Sequence, residues 1–532
     1  MRDLELPGRS PVHAPHGMAC TSHPLSSQAA IDVLKAGGNA MDAAVAAVAV
    51  QGVVEPGSTG IGGDCFCLYA PQGDARKISA FNGSAKAAAG YNTQWFADQG
   101  IKEIEQQTPH SVTVPSALDA WDRLVRDHGR MPLADVLAPA IGYARDGYPI
   151  SSRVFADSEG AKELMAGDAN VAAAYMPGGT MPQIGQMLRL PALAQTLQTV
   201  ADEGRDAFYK GEIAQHIVEY LQSKGGLHTM EDFAAVEGVY TDPISAEFRG
   251  HRVWQCPPNG QGVIALLLLN IMSGVDLDDK TPITLERIHT ELEACRLAYR
   301  ARNVYVADPA YAEVPVEELL SEEFAARIRG AIDPDKASEP PQDVDLPRHN
   351  DTVYVTVVDK DRNACSLINT LFMGYGAGLM DPHTGVLLHC RGMGFSLDPE
   401  SPNRIEGGKR PLHTIIPSMV SKGDKVVMPF GVMGGQYQAF GHMQFLTGVF
   451  DYGLDVQEAM DRPRFMVDPF DGEVEIEDTV PAEIRQALAA KGHRIVKPNK
   501  PVGGSQAIWI DWDEGVLTGG SDPRKDGCAI GY

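Results

Sequence analysis

The hydrophobic positions between Ser26 and Val54 predict two helices in succession. Ser26 or Ser27 is placed to cap the first, and Gly37-Gly38 to end it. Asn39-Ala-Met-Asp42 then offers a fresh cap for a helix built largely of Ala and Val. Such a helix lets its neighbours approach closely, which predicts burial. Gly57-Ser-Thr-Gly60-Ile-Gly62-Gly63 follows, and Asp64-Cys-Phe-Cys67 alternates like a strand. The glycine spacing is not Gly-x-Gly-x-x-Gly and no Lys follows it, so the segment reads as a turn feeding a strand around Cys65–Tyr69. Helical stretches recur around Ala117–Arg126 and Leu193–Ala201, without an internal repeat.

The character changes at Asp333–Asn350, which holds Pro334, Pro340, Pro341 and Pro347 among Asp, Glu and Lys. That is the composition of a mobile linker. It suits an interdomain tether, or a leader that ends at a cleavage site. Directly after it, Thr352–Val358 is rich in β-formers, Asp359–Asn363 is a turn sequence, and Ala364–Thr370 returns as a second strand. A hairpin that pairs Val358 with Ala364 sets Thr352 opposite Thr370. Directly opposed residues share a face, with Cβ atoms roughly 4.5–5.5 Å apart. Two hydroxyls therefore stand side by side at the open end of a hairpin. On local pattern alone, an ordinary cross-strand threonine pair is the favoured reading.

Composition narrows the function classes. The 532 residues, 44% of them hydrophobic, are ample for a large core. A formal net charge of -25 excludes nucleic acid as the expected partner, because phosphates need basic patches, and argues against an anionic membrane surface. The longest apolar run, Gly262 to Leu269, is far short of the ~20 residues of a membrane span. Met1–Pro7 has no apolar signal core, so a cytoplasmic location is expected. Eight Cys are too few for a disulfide scaffold in a chain of this length, and Cys65 and Cys67 read as small buried hydrophobes. No His-Glu-x-x-His stretch or Cys-rich ligand set is present, so no metal or other cofactor is expected.

Several motifs act together. Gly37-Gly38-Asn39-Ala-Met-Asp42-Ala-Ala, Gly60-Ile-Gly-Gly63, Thr352 followed by Val357-Val-Asp-Lys-Asp361, Lys409-Arg-Pro-Leu412, Gly434-Gly435 and Ser521-Asp-Pro-Arg-Lys-Asp-Gly527 occur in this order. From about Gly17 to Tyr532 the chain thereby resembles proenzymes of the γ-glutamyltransferase family. The resemblance implies an α/β (α+β) fold: a four-layer αββα sandwich of the N-terminal-nucleophile type, formed jointly by two subunits cut from one chain. Residues 1–351 would be the large subunit, ending in the Pro-rich acidic segment near 333–351, and residues 352–532 the small one. Self-cleavage would fall between Asp351 and Thr352. The two fragments would stay together as a heterodimer, and a dimer of such heterodimers is left open. Thr352 would be the nucleophile, activated by its own new α-amine, whose unperturbed pKa is roughly 7.7–8.0. Thr370 would support it, and the backbone N–H groups of Gly434 and Gly435 would form the oxyanion hole.

The chain also departs from glutathione-cleaving members of that family. Ala89 stands where they place an Arg for the substrate carboxylate, Phe372 where they have Asn, and Gly394 where they have an Asp for the substrate amine. His413-Thr414 replaces a Ser-Ser pair, and the stretch from Phe395 to Lys409 is shorter than in lidded transpeptidases. Arg391-Gly-Met-Gly-Phe-Ser-Leu-Asp-Pro399 resembles the oxamate amidohydrolase branch. Arg391 is the candidate carboxylate partner, with a surface ion pair or a structural strut as its other reading. His413, Thr414 and Tyr375 are candidate pocket residues, while Asp522 and Arg524 are expected to brace the fold. The expected partner is a small carboxylate-bearing amide, hydrolysed through an acyl-Thr352 intermediate. The alternatives are a glutathione hydrolase or γ-glutamyl transpeptidase, a cephalosporin (glutaryl) acylase and, outside enzymes, an uncleaved binding protein.

Overall fold

The computed structural model describes residues 8–276, 281–339 and 352–532. The predicted hairpin is its centre. Val353–Val358 and Ala364–Thr370 pair antiparallel, with Val353 opposite Asn369 and Val358 opposite Ala364, the register expected from the sequence. Asp64–Ala70 adds to the second strand, with Asp64 opposite Thr370, and Met18–Cys20 adds to the first. Ser79–Gly83 and Val239–Thr241 extend one edge and Ala529–Gly531 the other, completing a seven-stranded sheet. A second seven-stranded sheet is centred on Lys425–Met433, between Ser418–Lys422 and Gly504–Asp511.

Strand alternation sorts the hairpin side chains into layers. Val353, Val355, Val357, Cys365 and Leu367 face a helical layer, while Tyr354, Val358, Ala364 and Ile368 face the other sheet. Gly431 lies directly over Tyr354: a Cβ there would meet the ring at 2.4 Å, so the two sheets touch at this point. On the far side, Met428, Phe430 and Val432 face a second helical layer that includes Gly262–Ser273 and Tyr437–Phe450. The result is four layers, helix–sheet–sheet–helix, as the resemblance implies.

The Ala/Val-rich helix runs Ala40–Val54 and is buried along its whole length. Asn39 and Asp42 form the expected capping box. The preceding helix, Pro24–Lys35, starts differently from expectation. Its cap is His23, whose Nδ1 accepts the N–H of Leu25. Ser26 and Ser27 lie inside it: Ser26 Oγ donates to Ala47 on the next helix and Ser27 Oγ to Cys528, because Pro24 has already set the helix start. The glycine turn before Asp64 is required by close approach. A Cβ at Gly63 would stand 2.2 Å from the Thr370 carbonyl. Cys65 and Cys67 are buried and free, as expected.

The linker expectation is met differently over the part described. Asp333–Glu339 is docked: Ala337 N–H donates to Lys491 O at 2.8 Å and Ser338 N–H to Glu293 at 3.0 Å. Asp351, and with it the expected scissile bond, lies outside the described residues. Asp522 and Arg524 brace the fold as expected, Asp522 with Arg464 and Arg524 with Glu477 at 2.6 Å. Among the described residues no helix is long and apolar enough to cross a membrane.

Candidate active site

Thr352 stands at the head of the first hairpin strand and Thr370 at the end of the second. Their Oγ1 atoms are 3.3 Å apart and both residues are buried. By the alternation that turns Tyr354 and Ile368 toward the other sheet, both hydroxyls point between the sheets. Thr370 Oγ1 also accepts the N–H of Phe372 at 2.9 Å, which leaves its own proton to be directed elsewhere. Phe372 has φ +80°, a conformation rarely adopted by a bulky side chain, and strain of this kind concentrates at functional sites.

Gly434 and Gly435 end the central strand of the second sheet and lead into the N-terminus of the Tyr437–Phe450 helix. Phe430 O lies against Ser366 and Gly431 against Tyr354, so the strand runs toward the Thr352 end of the hairpin. Both glycines have positive φ, +121° and +55°, and a Cβ at Gly434 would stand 2.8 Å from Gly503 Cα. Only glycine brings this backbone round so tightly, and the start of a helix presents unpaired N–H groups that stabilise negative charge.

A charged cluster sits on the strand beside Thr370, two strands from the nucleophile. Asp64, opposite Thr370, is fully buried. Its Oδ2 accepts Arg391 Nε and His413 Nε2, each at 2.8 Å; its Oδ1 accepts Ala85 N–H at 3.0 Å and lies 3.4 Å from His389 Nδ1. Burial pushes the Asp64 pKa up, but His389 and His413 outweigh it and hold the carboxyl well below its ordinary range. Burial, with Arg391 beside it, holds His413 down at about 4. His413 is therefore neutral: Nδ1 accepts Ile415 N–H at 3.3 Å and Nε2–H donates to Asp64.

Arg391 occupies a short turn, Arg391–Gly394, with its guanidinium 4.0 Å above the Phe372 ring. It has no exposed surface, which excludes the surface ion pair. Nε is taken by Asp64, while Nη1 and Nη2 are buried without a hydrogen-bond partner. An orphaned guanidinium edge in a dry place is costly unless a ligand fills it.

The chain as a whole has known counterparts. Residues 26–532 match the gamma-glutamyltranspeptidase family. The chain belongs to that family. It is 37% identical over 522 residues to a glutathione hydrolase-like YwrD proenzyme of Bacillus subtilis, covering 97% of this chain and 98% of that one. It is 32% identical to the oxamate amidohydrolase proenzyme of Klebsiella pneumoniae, covering 97% and 98%. Cephalosporin acylase from Bacillus halodurans superposes with a TM-score of 0.93 at 38% identity, over 100% of this chain and 99% of that one. The chain is thus an N-terminal-nucleophile amidohydrolase with the αββα sandwich of the family.

Within that frame, the remaining candidates take definite places. The Tyr375 hydroxyl is 2.6 Å from Ser158 Oγ and its ring packs against Tyr175, so it joins a helix to the loop after Thr370. Thr414 is buried and its carbonyl accepts Gln261 Nε2 at 2.9 Å. Ala89 is exposed on a loop beside a cavity of about 220 Å³, with its N–H on Asp232. Gly394 is packed under Leu412 O, which a Cβ would approach to 3.2 Å. Sequence reasoning missed Asp64 and His389. In the sequence Asp64 reads as the start of a strand, and nothing local shows that its carboxylate meets Arg391, 327 residues away. A lone acid following a glycine turn in an otherwise apolar strand was the one available signal.

Proposed function

We propose that this family member is a self-processing amidohydrolase that cleaves a small carboxylate-bearing amide through an acyl-Thr352 intermediate. The observation that carries the reading is the unfilled Nη1/Nη2 edge of buried Arg391, held by Asp64 one rung from the Thr352–Thr370 pair. A carboxylate meets such an edge with two parallel hydrogen bonds. This reading requires the amide carbonyl of the same small molecule to lie toward Thr352.

Processing comes first. The Thr352 hydroxyl adds to the Asp351 carbonyl, the peptide nitrogen leaves as the new Thr352 amine, and water hydrolyses the resulting ester. Residues 1–351 and 352–532 remain associated as a heterodimer. In turnover the Thr352 α-amine takes the hydroxyl proton, directly or through water, and later returns it to the departing amine. Thr370 orients the nucleophile, and the N–H groups of Gly434 and Gly435 receive the developing oxyanion. Asp351 and Thr352 are the cleavage pair, and Arg391 the carboxylate group of the pocket. His413 and Thr414 border the site, His413 by holding Asp64, and Tyr375 fixes the loop beneath Phe372.

The experiment is a substrate panel on purified, N-terminally sequenced protein: oxamate, glutathione, a γ-glutamyl anilide and glutaryl amides. Oxamate-like turnover is expected to dominate. The second reading is a glutaryl acylase, favoured by the close superposition on cephalosporin acylase; a glutaryl amide, too, bears a carboxylate. Release of product from glutathione alone would overturn both.

A further inference from the structure

Away from the nucleophile, three metal-ligating side chains converge from opposite sides of the proposed cleavage. His289 and Glu293 stand one turn apart on the Leu285–Tyr305 helix, and His493 lies just before the Arg494–Val496 strand. One ligand atom from each lies within 4.8 Å of the other two, and all three residues are buried. His289 Nδ1 and His493 Nε2 are 2.8 Å apart.

The surrounding contacts orient these groups as ligands. His289 Nε2 is 2.8 Å from the Asp333 carbonyl, so Nε2 carries the proton and Nδ1 turns a lone pair toward His493. Glu293 Oε2 accepts Ser338 N–H at 3.0 Å. Carbonyl and N–H partners of this kind hold metal-binding imidazoles and carboxylates in one tautomer and orientation. His493 Nδ1 and Glu293 Oε1 are buried without a hydrogen-bond partner, although Glu293 Oε1 has an ion pair with Arg296.

We propose that His289, Glu293 and His493 form a structural Zn2+ site that fastens the C-terminal fragment to the N-terminal one. Two imidazoles and a carboxylate suit zinc, with water completing four-coordination, and suit Ca2+ or Mg2+ poorly. Arg296 Nε lies 3.2 Å from Glu293 Oε1 and partly neutralises it, which further disfavours cations that depend on charge alone. Both outer contacts come from Asp333 and Ser338, so the ion also anchors the chain leading toward the cleavage site. The site itself needs no processing; only its role as a fastener between fragments rests on cleavage before Thr352.

The test uses the full-length, untagged protein stripped with a chelator, dialysed, and titrated with Zn2+ by calorimetry. Co2+ serves as a spectroscopic stand-in. One equivalent per chain, a raised Tm and the intense visible absorption of tetrahedral Co2+ are expected. Affinity should fall at least tenfold in His493→Gln and Glu293→Gln, the first keeping a polar side chain in place should His493→Ala not fold. The uncut Thr352→Ala chain should bind equally, which separates failure of this site from failure of processing. Absence of saturable Zn2+ binding by the stripped wild-type protein, or equal binding by His493→Gln, overturns the proposal.

Discussion

Asp64 accepts a 2.8 Å hydrogen bond from Arg391 Nε and, on its own strand, stands directly opposite Thr370. One ladder rung therefore ties the candidate carboxylate-binding group to the hydroxyl beside the nucleophile. The pair is fully buried, so its members act jointly: removing one leaves an uncompensated buried charge, which typically costs about 3–5 kcal/mol.

That coupling shapes what substitution of Arg391 does. Arg391→Lys keeps a cation for Asp64 but loses the two-pronged edge. It should lower kcat/KM for a carboxylate-bearing amide roughly tenfold or more, since a hydrogen bond to a charged group contributes about 1.5–3 kcal/mol. Turnover of a neutral amide of similar size and self-cleavage should change little. Arg391→Ala should in addition lower Tm. Equal losses of kcat/KM on charged and neutral amides in Arg391→Lys would return Arg391 to a purely structural role.

Thr352→Ala should abolish both self-cleavage and turnover, whereas Thr352→Ser, which keeps a hydroxyl, should retain part of each. Denaturing electrophoresis with N-terminal sequencing reads the first and product release the second. Maturation of Thr352→Ala at the wild-type rate would place the nucleophile elsewhere.

Gly434→Ala should cost on the order of 10²–10³ in kcat, the scale of a lost oxyanion donor. The added Cβ would stand 2.8 Å from Gly503 Cα at a φ of +121°, so the backbone must turn its N–H away. Circular dichroism separates local from global damage. Wild-type kcat in a folded Gly434→Ala protein removes these N–H groups from the reaction.

Acid should weaken the fold in two stages. Burial depresses His413 and His228 to about 4 and His442 to about 3, while the unfolded chain titrates near 6.5. Between these values the unfolded state binds protons that the native state does not. The stability these histidines contribute is thus present above about pH 6.5 and lost as pH falls toward 4. Asp64, held well below its ordinary range, adds a second loss below about pH 3.9. Thermal melts from pH 8 to 3 check this. A Tm that stays level from pH 7 to 4.5 would contradict the first stage.

What the sequence by itself determined was local or carried by spacing. The hairpin register follows from a turn of fixed length between two runs of β-formers, and with it the Thr352–Thr370 pair. The capping box at Asn39 is confined to four residues, and the burial of the helix after it follows from its Ala/Val composition. The glycine turn before Asp64 declared itself by composition, although only packing shows that Gly63 must clear the Thr370 carbonyl. The start of the first helix misled because two serines look like caps, while Pro24 and His23 set the boundary and the serines bond to other elements. Tertiary structure alone decided the electrostatics. Asp64, His389, Arg391 and His413 meet because a strand, a short turn and two loop segments converge, and the charge states of Asp64 and His413 depend on burial no sequence window contains. The same holds for His289, Glu293 and His493. The first two share a helix face, but the third arrives from 200 residues further along. Pattern along a chain reports on neighbours three or four residues away; the free energy of a buried charge is set by partners that only folding brings within reach.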